Sequence, residues 1–256
     1  CPETGISFNS ESGTVPKQSH YACAACGTVQ DVLTTIKATG KTGPMASYAV
    51  QGYAPKRDAA GKPYNGRFFA AFDTTHSRQY DAAFEEWEAR KDSDLVNYWP
   101  KEELYPYSRG NTSMLYNQPQ HGHTHWWTMF NPRQLLVHTQ LLKAIVEVGD
   151  YSWDVREYAL AAFQQYLRNQ CLFTLWNIQA DQLEPMFSNN NYHPNSTVVE
   201  NCVFAPYGRG NWLSCVESLG DTLDWKANPW ETTAKANFER SHSDIAESIS
   251  GKSTKT

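Results

Sequence analysis

The segment Cys23-Ala24-Ala25-Cys26-Gly27 constrains this chain more than any other feature. Two thiols two residues apart, closed by a glycine, make the turn of a zinc knuckle. The glycine lets the backbone turn tightly behind the second sulfur, and zinc takes four N or S ligands in a tetrahedron. Cys1-Pro2-Glu3-Thr4-Gly5 reads as the partner knuckle, with Thr4 standing where a second cysteine would complete it. Cys1, Cys23 and Cys26 are therefore the candidate ligands of a structural zinc ion. The fourth ligand comes from His20, from residues upstream, or from nowhere. The competing reading is a degenerate ribbon that keeps its strands and has lost the metal.

Six cysteines (Cys1, Cys23, Cys26, Cys171, Cys202 and Cys215) are few for 256 residues. The Cys-x-x-Cys near the start favours metal in a reducing compartment, so a cytoplasmic location is expected. A Cys202–Cys215 disulfide in a secreted protein is the alternative. The best apolar stretch, Leu135 to Val148, is interrupted by Gln, His, Lys and Glu and is too short to span a bilayer, so no membrane partner is expected. The chain opens on Cys1 with no charged lead and apolar core, and an internal segment of a larger protein is the expectation. A net charge of −5 lacks the basic footprint of an isolated nucleic-acid binder. If DNA is involved, the rest of the parent protein has to supply most of the phosphate attraction.

The fold class expected is α+β. Residues 1–30 read as the ribbon-like strands and 31–120 as a mixed region of short strands and helix. Residues 121–230 read as a helical hairpin with a long ordered Asn- and Gly-rich loop, and 231–256 as a linker or surface helix. Val29 to Ile36 and Arg67 to Phe72 fit short strands. Thr75 to Arg90 reads as a helix with Tyr80, Phe84 and Trp87 on one face. Asn131-Pro132-Arg133-Gln134 is the clearest helix start: Asn131 caps, Pro132 suits the first position, and Gln134 completes a capping box. That helix runs to about Val148, and Gly149 closes it. Asp154 and Glu157 make a second capping pair, for a helix reaching about Trp176. The short connection between the two predicts an antiparallel hairpin.

Two polar constellations stand out. His121-Gly122-His123-Thr124-His125 would place three imidazoles on one face if extended, as a metallohydrolase needs, but no carboxylate partner lies nearby in sequence, and a polar strand edge before Trp126-Trp127 is the favoured reading. Asn189-Asn190-Asn191-Tyr192-His193-Pro194, with Asn201 and Gly208-Arg209-Gly210-Asn211-Trp212, has the residue types that meet nucleic acid. Amides read adenine edges, Arg binds guanine or phosphate, and Trp stacks on an exposed base. Asn191, His193, Arg209, Asn211 and Trp212 are the candidate DNA-facing residues. A loop held together by its own Asn side chains is the alternative.

Phe130-Asn131-Pro132-Arg133-Gln134-Leu135-Leu136, the helical pair after it, the Asn-rich stretch before Pro194, the Gly-Arg-Gly-Asn-Trp segment and the opening cysteine motifs together resemble one family. These are the adenine-specific DNA methylases that contain a zinc ribbon and are associated with anti-phage defence. The resemblance covers most of residues 1–230. It implies a parent that binds S-adenosylmethionine through a glycine-rich motif before the ribbon and carries an Asp-Pro-Pro-Tyr type catalytic motif after the helical region. Asn228-Pro229-Trp230 does not match that catalytic motif, and the chain has neither part. The resemblance thus implies an insert between the two halves of the methylase, with no catalytic residue of its own. Its partners would be DNA, the rest of the methyltransferase and other defence proteins. A protein–protein interaction module of a defence complex, without direct DNA contact, is the alternative.

Overall fold

A short hairpin built on the cysteine motif opens the described part of the chain. β1 (His20–Ala22) pairs antiparallel with β2 (Val29–Asp31), His20 opposite Asp31 and Ala22 opposite Val29. The computed structural model describes residues 20–23, 26–43, 45–57, 63–104, 118–185, 198–205, 208–232 and 240–241. Gly27 sits at φ +72°, and its N–H donates to the Cys23 carbonyl at 2.8 Å. The Cys23 N–H donates to the Thr28 carbonyl at 2.9 Å.

The strand expected from Val29 to Ile36 stops at Asp31, and α1 (Val32–Thr39) begins at once. The Asp31 carboxylate accepts the Thr34 N–H at 2.8 Å, satisfying a donor that the first helical turn otherwise leaves open. That local bond outweighs the β preference of Val32 and Ile36. β3 (Ala49–Arg57) and β4 (Pro63–Ala71) then form a long antiparallel ribbon, with Ala49 opposite Ala71 and Arg57 opposite Pro63. Asp73 caps α2 (Thr74–Arg90) by accepting from the N–H groups of Thr75 and His76, and the His76 ring answers the Asp73 N–H. After α2, the indole of Trp99 donates to the Lys91 carbonyl at 2.9 Å and lies edge-on to Trp87 and Trp127.

α3 (Pro132–Glu147) starts on a reciprocal box: Asn131 accepts the Gln134 N–H at 2.8 Å, and Gln134 accepts the Asn131 N–H at 3.0 Å. α4 (Trp153–Leu167) begins earlier than the Asp154–Glu157 pair suggests, with Ser152 at its cap position and Glu157 accepting the Trp153 indole N–H instead. Near the connection Arg156 donates to the Val148 carbonyl, and at the far end Tyr166 meets His138, so the second helix runs back along the first. α4 stops at Leu167 rather than at Trp176. The position that would extend its apolar stripe is Gln170, whose amide turns inward to donate to the Gly210 carbonyl at 2.9 Å. β5 (Leu175–Asn177) and β6 (Gln182–Glu184) follow as a small hairpin.

The later part of 121–230, expected to be a long ordered Asn- and Gly-rich loop, contains α5 (Trp212–Ala227), whose cap is Asn211. β7 (Glu231–Thr232) pairs with β8 (Arg240–Ser241) inside the stretch expected to be linker or surface helix. The architecture is thus α+β: five α-helices and four two-stranded antiparallel sheets among the described residues. Three small apolar clusters hold it together. Trp87, Leu95, Leu135 and Leu136 join α2 to α3. Ile145, Phe163, Tyr166 and Cys215 join α3, α4 and α5. Leu104, Met129, Cys171 and Phe173 form the third. No helix among the described residues is long and apolar enough to cross a membrane.

Candidate nucleic-acid interface

The described residues between Val198 and Asn211 are irregular in backbone yet fixed at many points. Val198 bridges Leu175, and the Val199 N–H donates to the Thr174 carbonyl at 2.9 Å. Glu200 receives three bonds from the start of α3: Asn131 Nδ2 at 2.8 Å, Arg133 Nε at 2.7 Å and a terminal Arg133 nitrogen at 2.9 Å. The Arg133 guanidinium also lies 5.2 Å from the ring centroid of Tyr80 on α2. The helix start that stands out in the sequence is therefore also the anchor of the loop.

Arg209 sits between two glycines in the left-handed region, Gly208 at φ +91° and Gly210 at φ +66°. The close approach that Gly210 allows is used by the chain itself: a Cβ there would lie 2.2 Å from Asn169 Nδ2. Asn201 donates to the Arg209 carbonyl at 2.9 Å, and Arg209 donates to Gln182 Oε1 at 2.9 Å. The result is an exposed guanidinium on a backbone that has little freedom left to lose.

The other proposed DNA-facing residues are placed differently. Asn211 is 2% exposed; its carbonyl oxygen accepts the Ser214 N–H and its amide donates to the Gly208 carbonyl, both at 2.9 Å. Trp212 is half-buried, edge-on to Tyr166 at 6.1 Å, with its N–H donating to the Val203 carbonyl. Asn211 thus works as a cap and Trp212 as packing, and Arg209 is the described candidate with a charge at the surface. Asn191 and His193 lie outside the described residues.

In the cysteine hairpin, Cys23 is half-buried and Cys26 exposed, while Cys1 lies outside the described residues. The Cys26 thiol points to Thr28 Oγ1 at 3.2 Å, and bonding to Thr28, then to Cys23, holds it below the usual cysteine range. Two neighbouring sulfurs, one of them eased toward deprotonation, suit half of a tetrahedral zinc site. No cluster of three His, Cys, Asp or Glu that could hold a metal is found among the described residues. Cys202 is exposed and Cys215 buried, and both are free thiols.

The three histidines do not share a face. His121 ends a 3-10 turn, Pro119–His121, and Gly122 at φ +86° breaks the alternation. A Cβ on Gly122 would lie 2.3 Å from the Thr42 nitrogen, so this turn packs on the chain after α1. His123 is buried against Phe173 with Nδ1 3.0 Å from the Thr128 carbonyl, and burial pushes its pKa down. His125 bridges Glu103 in backbone and lies 4.0 Å from its carboxylate. The polar strand edge expected here is instead a turn followed by a second 3-10 segment, Trp126–Met129.

Asn201 bonds within the loop, eight positions from Arg209, as the alternative of a loop held by its own Asn side chains expects, whereas Glu200 and Gln170 anchor it through partners that lie far away in sequence. No protein-family model, curated protein or solved structure matches this chain.

Proposed function

We propose that this chain is the insert of an adenine-specific DNA methyltransferase acting in cytoplasmic phage defence, and that it helps position the target. The observation that carries the reading is Arg209: an exposed cation on a backbone pinned by Asn201, Gln170 and Asn169. A pre-ordered guanidinium loses little freedom when it meets a phosphate or a guanine edge, so more of the contact energy is kept. S-adenosylmethionine, held by the remainder of the parent, supplies the methyl group for an adenine drawn out of the stack. Cys23 and Cys26, with Cys1, would hold a zinc ion that ties the hairpin down and takes no part in the chemistry.

The test is methyl transfer from labelled S-adenosylmethionine to DNA by the full-length parent and by Arg209→Ala. The expected result is a loss on the order of tenfold, equivalent to ~1.4 kcal/mol, with an unchanged melting temperature. Equal rates would remove the loop from the methylation site.

A second reading, a docking module that never touches DNA, draws on the connection between α3 and α4. Tyr151 and Trp153 are 61% and 65% exposed there, and Tyr151 lines a recess of about 240 Å³ with Ala144, Ile145, Val148 and Val155. It gains ground if Arg209→Ala methylates normally while Tyr151→Ala with Trp153→Ala loses a defence partner.

A further inference from the structure

The β3–β4 ribbon carries charge of the opposite sign to the rest of the chain. Between Ala49 and Ala71 lie Lys56, Arg57, Lys62 and Arg67 against the single acid Asp58, a net +3. The whole protein is −5, so everything outside the ribbon sums to −8. The positive charge is also concentrated within the ribbon: Lys56 and Arg57 end β3, opposite Tyr64 and Pro63, and Arg67 pairs with Tyr53 farther back.

Nine residues in each strand give a ribbon roughly 30 Å long. Among the described residues it is a sheet of two strands. At its base the ring of Phe68 lies over Gly52, where a Cβ would be 2.3 Å from the ring, and Phe69 is 65% exposed. The Phe68 ring thus covers the backbone that Gly52 leaves bare. A two-stranded ribbon is the β-structure that enters the major groove of B-form DNA, ~12 Å across, between two rows of phosphates.

We propose that the β3–β4 ribbon is a DNA-binding arm that enters the major groove of duplex DNA, with the charge of Lys56, Arg57 and Arg67 supplying the phosphate attraction. The inference rests on the DNA reading above for its choice of polyanion. Its form favours DNA over duplex RNA, whose deep and narrow major groove does not admit such an element. It also answers the problem posed by the acidic total: the attraction is local to one element.

The experiment is fluorescence anisotropy of the 256-residue chain with a labelled duplex of about thirty base pairs, between about 50 and 200 mM salt. The triple variant Lys56→Gln, Arg57→Gln, Arg67→Gln is expected to bind at least about tenfold more weakly, with a salt slope shallower by about 2 to 3. Lys37→Gln, Lys101→Gln and Lys226→Gln together should leave affinity within about twofold and the slope unchanged. If the triple variant fails to fold by circular dichroism, Arg57→Gln alone should flatten the slope by about 1. The arm is overturned if the wild-type chain does not bind duplex DNA at the lowest salt, if the ribbon variants bind as it does, or if duplex RNA binds more tightly than DNA. Methyl transfer is scored separately on the parent. Ribbon-dependent binding in a parent that transfers no methyl group would sink the methylase reading and leave the arm standing.

Discussion

The Tyr166 hydroxyl donates to His138 Nδ1 at 2.8 Å, and His138 Nε2 donates to the Gln170 carbonyl at 2.9 Å. A carbonyl can only accept, so the ring hydrogen sits on Nε2 and Nδ1 is the acceptor for Tyr166. Charging this ring would desolvate a cation and turn a second N–H toward the hydroxyl. Burial accordingly pushes His138 down to about 4, with the Gln170 bond acting in the opposite sense. Unfolded, it titrates near ~6.5. Between those two values the unfolded chain binds a proton that the folded chain refuses. Stability is therefore full above about pH 6.5 and falls toward about pH 4, by up to roughly 1.4 kcal/mol per pH unit. His123, also lowered by burial, adds to this loss. In thermal melts His138→Gln should be less stable near neutrality and show a shallower slope through this window. Identical slopes would count against the assignment.

Glu200 is gripped by Asn131 and Arg133, 69 and 67 positions away in sequence. The pair is about one-third exposed, so solvent screens much of its attraction. A double-mutant cycle with Arg133→Ala and Glu200→Ala should return a coupling of about 1 kcal/mol. Additive single effects would show that the ion pair merely decorates a loop held by other means.

The two glycines beside Arg209 should respond unequally to alanine. At Gly210 the left-handed backbone and the Asn169 side chain both resist a Cβ, and Gly210→Ala should cost about 2 kcal/mol or more. Gly208 has open space where its Cβ would point, so Gly208→Ala should cost about 1 kcal/mol, from backbone strain alone. Urea melts of the two variants decide it, and equal costs would contradict the packing of Gly210 on Asn169.

Arg209 and Asn211 are two residues apart and should separate cleanly in a stability measurement. Asn211→Ala removes the cap of α5 and leaves the Gly208 carbonyl without its donor, at a cost of about 1 kcal/mol or somewhat more. Arg209→Ala removes an exposed head bonded to Gln182 and should stay within about 0.5 kcal/mol of wild type. A large destabilisation by Arg209→Ala would show it to be structural.

The local signals were legible where the interacting groups are neighbours in sequence. The Asn131–Gln134 box and the helix through Trp87 could be read off the chain because cap chemistry and apolar spacing lie within a few residues of each other. The turn closed by Gly27 was legible for the same reason. α5 was not. It contains Gly220 and several Ser, Asp and Thr residues with poor helix propensity, and it follows a Gly- and Asn-rich run that reads as loop. Its signal was Asn211 ahead of Trp212, Cys215, Val216 and Leu219, a cap before a helical apolar pattern. The loop's anchors were beyond any spacing argument: Glu200 lies 67 positions from Arg133, and only the folded chain brings them together.

Phe130 packs against two of the three apolar clusters and lies edge-on to His138 at 5.5 Å, which in turn meets Tyr166 in the third. Three small cores are thereby wired in series through one ring, and that ring is the immediate neighbour of the residue that holds Glu200. Anything that clamps the Arg209 loop would therefore suppress local opening well beyond it. Amides of α2 that never approach the loop should exchange with solvent more slowly while it is occupied.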